Sequence, residues 1–504
     1  MYKKSVLDLL EKTAEKYPDN LAFGDTSMDM TFKETVQKAR LVGSYLSAYV
    51  HGCQPVAFYM EKSCLGVCGM FGAVYAGGFY SFVDVRQPAA RAKSVISVLE
   101  PCVIITDNTF ADKAGELDTE IPVLKIEEIL EKAVLDENIL LSIKDKARDI
   151  DPLYVNFTSG STGVPKGVTV CHRSVIEFIS YFVDIFDITS NDILGNQAPF
   201  DFDVSVKDIY SGIMTGAKVQ IIPREYFSSP MNLMDYLADK NVTVLVWAVS
   251  AMCFVSIMNG LEYRTPETVR LIMFSGEVMP VKQLRKWQAH LPNATYVNLY
   301  GPTEITCNCT YHILDRAYED AETIPAGKPF PNEEVFLLDE NDKLISLQQT
   351  GVTGEICVSG TSVVLGYYND PERTSAAFVQ NPLHNKYIDI IYRTGDLGKY
   401  DESGNLIYVS RKDFQIKHLG HRIELGEIET TAMAQEGVSR ACCIYDFDKK
   451  RIIMFYTGGA DKKQLTAAMK EVLPPFMIPN SFKPIDEMPL NKNGKIDRKA
   501  LEQL

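Results

Sequence analysis

Apolar residues recur along the chain with two different periods. Near the N-terminus Val6, Leu9, Leu10 and Ala14 return at helical spacing between charges, which predicts an amphipathic helix and excludes a signal peptide. Farther on, compact apolar runs at 101–107, 243–249, 271–274 and 295–299 read as short buried strands. Amphipathic pieces at 232–240 and 281–290 read as helices between them. That alternation predicts an α/β core with largely parallel sheets. After Gly327 the strand-like runs turn short and turn-rich (EEVFLLDENDKLI, GEICVSG, GNLIYVS), which predicts a β-rich subdomain behind the α/β core. A boundary is predicted near 410–413. It divides the chain into a core domain at 1–410 and a small α+β C-terminal domain at 411–504, with strands at 414–418, 440–445 and 452–457 and helices at 426–435 and 462–472.

Composition narrows the function. The chain has 504 residues, with 51 Lys and Arg against 66 Asp and Glu, a formal charge of −15. An acidic surface argues against nucleic acid and against an anionic membrane as partners. No run of about 18 apolar residues is present to span a bilayer. The eleven cysteines are odd in number and scattered, no C-x-x-C pair occurs, and the seven histidines show no zinc spacing. Free thiols in a reducing cytoplasm are expected.

The strongest chemical signal is residues 157–168, FTSGSTGVPKGV. Thr158, Ser159, Gly160, Ser161, Thr162 and Gly163 offer backbone N–H groups and hydroxyls that can wrap phosphate oxygens, and Lys166 adds positive charge. It is not a Walker A loop, because Gly167 follows the lysine where Ser or Thr is required.

This segment resembles the phosphate-binding loop of the adenylate-forming superfamily: acyl-CoA synthetases, luciferases and the adenylation domains of nonribosomal peptide synthetases. Further segments match in family order: GGFYSFVDVRQPAAR (77–91), NLYGPTE (298–304), GEICVSG (354–360), LGYYNDPERT (365–374), YRTGDL (392–397), DFQIKHLGHRIELGEIE (413–429), LPPFMIP (473–479) and NGKIDRKAL (493–501). Phe82 departs from the usual Pro, and Ser410 from the usual Gly. NLYGPTE, HRIELGEIE and FDVSVKDIY (202–210) resemble the amino-acid-activating branch.

The resemblance implies two half-reactions. An amino-acid carboxylate attacks the α-phosphate of ATP and releases pyrophosphate; the phosphopantetheine thiol of a carrier protein then takes the acyl group. The loop from Thr158 to Lys166 would handle the phosphates. Thr303 would sit near the α-phosphate, Glu304 would hold Mg²⁺, and Tyr300, followed by Gly301, would stack on adenine. Asp396 and Arg411 would meet the ribose. Lys495 would bridge the two reactants, then leave as the mobile C-terminal domain turns on the hinge residue Asp413 and brings the face at 414–420 to the site.

The same resemblance implies a substrate pocket of Asp203, Lys207, Ser250, Met273, Ser275, Leu299, Cys307 and Asn308. Asp203 would bind the α-ammonium, because a cation in a closed pocket needs a carboxylate. Lys207 with Asn308 suggests an acidic or strongly polar substrate side chain; the alternative is a Lys207 that snorkels outward or pairs with Asp208 or Asp201. The chain stops three residues after KAL, as expected of a freestanding enzyme or an excised domain with a separate carrier. A ligase specific for D-alanine, of the kind that serves teichoic-acid modification, is the alternative within the branch. An acyl- or aryl-CoA ligase is disfavoured, because its acid has no ammonium for Asp203.

Overall fold

The computed structural model describes residues 3–117, 120–160, 164–320, 322–412, 415–447, 449–490 and 496–504. The chain opens with the helix Val6–Lys16. Ser5 caps it in a capping box with Asp8, and Val6, Leu9 and Leu10 face the core.

Two sheets organise the large lobe. The first runs Gly366–Tyr367, Lys166–Cys171, Pro152–Thr158, Phe79–Phe82, Pro55–Tyr59, Val103–Thr106 and Val123–Lys125. Its last five strands are parallel. All four residues of Val103–Thr106 are buried, the pattern of a strand covered on both faces. The second sheet has the parallel centre Thr295–Tyr300, Leu271–Ser275, Val244–Ala248, Ile193–Asn196, Lys218–Ile221 and Leu21–Gly24, with antiparallel strands at both ends. The strands predicted at 101–107, 243–249, 271–274 and 295–299 all belong to these two sheets. The helices predicted at 232–240 and 281–290 form as Pro230–Asp239 and Val281–His290.

Beyond Gly327 an antiparallel sheet follows in the order Leu344–Ile345, Glu333–Leu338, Gly354–Gly360, Ile390–Tyr400 and Phe378–Gln380. Leu406–Arg411 pairs with Ile390–Tyr400, and this register sets Arg411 opposite Asp396.

The small α+β lobe begins with the hairpin Gln415–His418 and His421–Glu424. It continues with the helices Leu425–Met433 and Lys462–Lys470 and the sheet Val438–Asp446, Arg451–Gly458, Ser481–Pro484. Its own core includes Ile416, Ile423, Ile428, Met454, Leu465 and Phe482. All eleven cysteines are free thiols. Among the described residues no helix is long and apolar enough to cross a membrane.

Candidate active site

The strands Pro152–Thr158 and Lys166–Cys171 pair antiparallel with Thr158 opposite Lys166. Of the site residues expected from the sequence, Ser161, Thr162 and Gly163 lie outside the described residues, as do Asp413 and Lys495. Gly160 is required by space: a Cβ there would lie 2.1 Å from the Val164 carbonyl oxygen. The Ser159 hydroxyl donates to the Arg422 carbonyl (2.8 Å) and accepts from the Glu424 N–H (3.1 Å). Beside it, the Thr158 hydroxyl and the Asn156 amide oxygen are buried in the cavity wall without a hydrogen-bond partner among the described residues. Phosphate or ribose groups of a nucleotide would satisfy both.

Glu304 sits on the short 3₁₀ turn Thr303–Ile305, just after the strand Thr295–Tyr300, and is 0% exposed. Its Oε1 accepts from the Tyr367 hydroxyl (2.8 Å) and lies 3.5 Å from Lys166 Nζ. Its Oε2 accepts from Arg422 Nη1 (2.6 Å). Burial pushes this carboxyl up, but Arg422, Lys166 and Tyr367 outweigh it and hold the group well below the usual carboxylate range. Burial, with Arg422 nearby, lowers the Lys166 ammonium to about 8. A lone carboxylate beside a phosphate site is a suitable Mg²⁺ ligand, since Mg²⁺ keeps waters and phosphate oxygens for its other positions. Glu304 has that chemistry once Arg422 withdraws. Among the described residues no cluster of three or more His, Cys, Asp or Glu could hold a metal alone.

Asp396 and Arg411 meet as the strand register demands, with Arg411 Nη1 2.7 Å from Asp396 Oδ1. The Tyr300 hydroxyl donates to Asp396 Oδ2 (2.6 Å). Tyr300 is 8% exposed and packs against the main core, and the residues that follow it, Gly301, Pro302 and Thr303, line the cavity.

The substrate pocket expected from the sequence is only partly on the cavity wall. Asp203, Ser275, Cys307 and Asn308 line it. Asp203 stands at the N-cap position of the helix Val204–Thr215, yet its side chain makes no capping bond. Burial pushes its carboxyl up, while the Thr303 hydroxyl and Lys207 pull it back. Lys207 is fully buried behind Asn308 and donates to its Oδ1 at 2.5 Å, so it does not snorkel outward. Met273 and Leu299 are buried in the main core. Ser250 does not line the cavity: it starts the helix Val249–Ile257 and faces Gly420 of the small lobe.

The small lobe contributes Lys417, on the expected face at 414–420, and Arg422, which the sequence reading left without a role. In the hairpin register Ile416 pairs with Ile423, and Lys417 with Arg422. Alternation then sends the isoleucines into the small lobe's core and the two cations to the opposite face, toward the cavity. Two like charges across a strand pair repel; here Glu304 and Asp396 compensate them. The turn uses Leu419 and Gly420, both at positive φ, and the Gly420 N–H donates to Glu277 Oε1 (2.8 Å). Lys450 also reaches Glu277 (3.3 Å), and Arg91 forms an ion pair with the buried Glu427. The sequence signal was present: Lys417 and Arg422 are the outward positions of a period-2 pattern around a Leu-Gly turn.

One cavity of about 130 Å³ lies between the lobes, lined by Thr158, Ser159, Asp203, Asn308, Asp396, Arg411, Lys417 and Arg422 among others. The AMP-binding enzyme family matches residues 10–368, and its C-terminal domain matches residues 427–495; the chain belongs to this family of adenylate-forming ligases. Bacitracin synthase 1 of Bacillus licheniformis is 31% identical over 506 residues, covering 99% of this chain and 9% of that protein. The chain spans less than half the length of the curated relatives it matches. Among solved structures, holo-PA1221, a nonribosomal peptide synthetase protein containing adenylation and PCP domains, superposes with a TM-score of 0.85 at 23% identity, over 99% of this chain and 84% of that one. The Vibrio cholerae adenylation domain AlmE, solved with glycyl-adenosine-5'-phosphate, superposes with a TM-score of 0.86 at 22% identity, over 100% and 98%.

Proposed function

We propose that the chain activates an amino acid with ATP and delivers it to the phosphopantetheine thiol of a carrier protein. In the first half-reaction the amino-acid carboxylate oxygen attacks the α-phosphorus, and the bond to pyrophosphate breaks. Two anions must meet in line, so the site has to neutralise charge and fix geometry. Lys166 and the Thr158 and Ser159 hydroxyls serve the phosphates, Thr303 the α-phosphate, and Asp396 with Arg411 the ribose. Glu304 would hold Mg²⁺, which supplies charge neutralisation at the phosphates. Lys495 is assigned to the reacting carboxylate, and Asp413 to the hinge between a core at 1–410 and a lid at 411–504. In the second half-reaction the thiolate attacks the acyl carbon and AMP leaves.

The observation that carries the amino-acid reading is Asp203: a carboxylate on the cavity wall that makes no helix-capping bond. An α-ammonium is the group that would compensate it. The hairpin Gln415–Glu424 supports the second half-reaction as the state of this conformation, because Arg422 takes the Glu304 oxygen that a metal would need. The synthetase relatives and the adenylation–PCP likeness support a carrier partner.

The test is ATP–pyrophosphate exchange against the standard amino acids, D-alanine and simple carboxylic acids. Exchange with amino acids that Asp203→Ala abolishes is expected. Exchange with carboxylic acids alone would overturn the reading.

A further inference from the structure

Lys207 is unexplained by anything common to all amino acids. It lies one helical turn beyond Asp203, on the same face of the helix Val204–Thr215, and is 0% exposed. Its ammonium donates to one neutral acceptor, Asn308 Oδ1, and among the described residues it forms no ion pair. A buried ammonium with a single amide partner is an uncommon arrangement, since lysine is rarely fully buried unless paired.

Among the described residues no carboxylate reaches Lys207 within ion-pair distance, although Asp203 and Asp208 act on it from farther off and Asp208 Oδ1 has no hydrogen-bond partner. Asp208 Oδ2 accepts from Asn196 Nδ2 (3.0 Å), and Asn196 in turn accepts from Lys62 (3.1 Å). Lys62 also donates to the Asn196 and Gln197 carbonyls, so Asp208, Asn196 and Lys62 form a buried unit of their own. With Asp203 given to the α-ammonium on the reading above, Lys207 keeps no directly bonded carboxylate among the described residues.

Asn308 connects the lysine to the substrate. It lines the cavity while holding Lys207 behind it. Its amide nitrogen donates to no described residue, and the lysine has three N–H donors with one used. Donors therefore converge where an amino acid held at Asp203 would send its side chain.

We infer that the substrate is an amino acid whose side chain ends in a carboxylate, of the aspartate or glutamate kind, which Lys207 and Asn308 bind. The inference rests on the amino-acid reading of Asp203. An apolar side chain, or the methyl of D-alanine, would leave the lysine charge uncompensated in a water-poor site. A neutral amide would offer its oxygen but no charge.

The test is ATP–pyrophosphate exchange by the intact chain with aspartate, glutamate, asparagine, glutamine, L- and D-alanine, leucine, phenylalanine, propionate and succinate. We expect kcat/KM for aspartate or glutamate to exceed that of its own amide by at least about 100-fold. Lys207→Met keeps the length and removes the charge, so it should shrink that ratio to below about tenfold while exchange persists. Asn308→Asp supplies an internal partner for the lysine and should shrink it likewise. If one variant fails to fold, the other decides; if both fail, the wild-type ratio decides. A neutral amino acid as best substrate overturns the inference and leaves the amino-acid reading standing, as does an undiminished ratio in a folded variant. Exchange with propionate or succinate alone overturns both.

Discussion

Arg422 Nη1 lies 2.6 Å from Glu304 Oε2, joining the small lobe to a buried carboxylate of the large lobe. The pair is almost dry, with the two side chains 12% and 0% exposed. Glu304 is also the carboxylate expected to hold Mg²⁺ during adenylation. On the proposed reading one acidic group would then have two alternative cations, and the orientation of the small lobe would decide which one it meets.

That relationship separates the two half-reactions by mutation. Arg422→Met should leave ATP–pyrophosphate exchange within about threefold of wild type, while slowing acyl transfer to a carrier by tenfold or more, about 1.4 kcal/mol of barrier. Single-turnover loading of a phosphopantetheinylated carrier, run beside the exchange assay, reads both. A parallel fall in the two rates would remove Arg422 from the second step.

Asp203→Asn keeps the shape of the cavity wall and removes its charge. A hydrogen bond to a charged group is worth about 1.5–3 kcal/mol, so kcat/KM for the amino acid should fall about 10- to 100-fold. The KM for ATP should stay within about twofold. An unchanged kcat/KM would show that the ammonium is bound elsewhere.

Lys166 gives a pH signature. Burial lowers its ammonium to about 8, so the charge is present below that pH and lost above it. The profile of kcat/KM for ATP, which reports the free enzyme, should decline above about pH 8. Lys166→Arg keeps its charge through this range and should abolish that decline. A decline that persists in the arginine variant belongs to another group.

Gly420 tests the hairpin turn. Its φ of 82° is unfavourable for a side chain, and a Cβ would come within 3.1 Å of Ser250 Oγ. The left-handed region costs a non-glycine residue about 1–2 kcal/mol, so Gly420→Ala should slow carrier loading about tenfold with exchange unaffected. Equal loading by the variant and wild type would show that the turn does not seat this closely during transfer.

The fold was largely legible because its strands are short apolar runs and its helices carry clear stripes. The helix at 281–290 forms with those bounds. The strand Ser481–Pro484 escaped, since it is brief, ends in proline and buries mainly Phe482. The site was legible as a set of residue types and less so as contacts. Asp396 and Arg411 meet through a strand register that shifts between Leu397 and Gly398, which no spacing rule reveals. Ser250 lies against Gly420 for the same reason: motif position fixes the backbone element, whereas the partner a side chain finds depends on packing from distant segments. Arg422 meets Glu304 across 118 positions, and only the alternation around the Leu-Gly turn hinted at its direction.

The hydroxyl of Ser159 is bonded on both sides to the hairpin backbone, so the hairpin covers the phosphate segment at Ser159. On the proposed reading this makes supply follow demand. A fresh nucleotide cannot dock while the hairpin sits over the loop, and the hairpin sits there while an activated acyl group awaits its acceptor. On that reading the protein would idle in this posture when carriers are scarce, and fuel would not be burned on acyl groups that have nowhere to go.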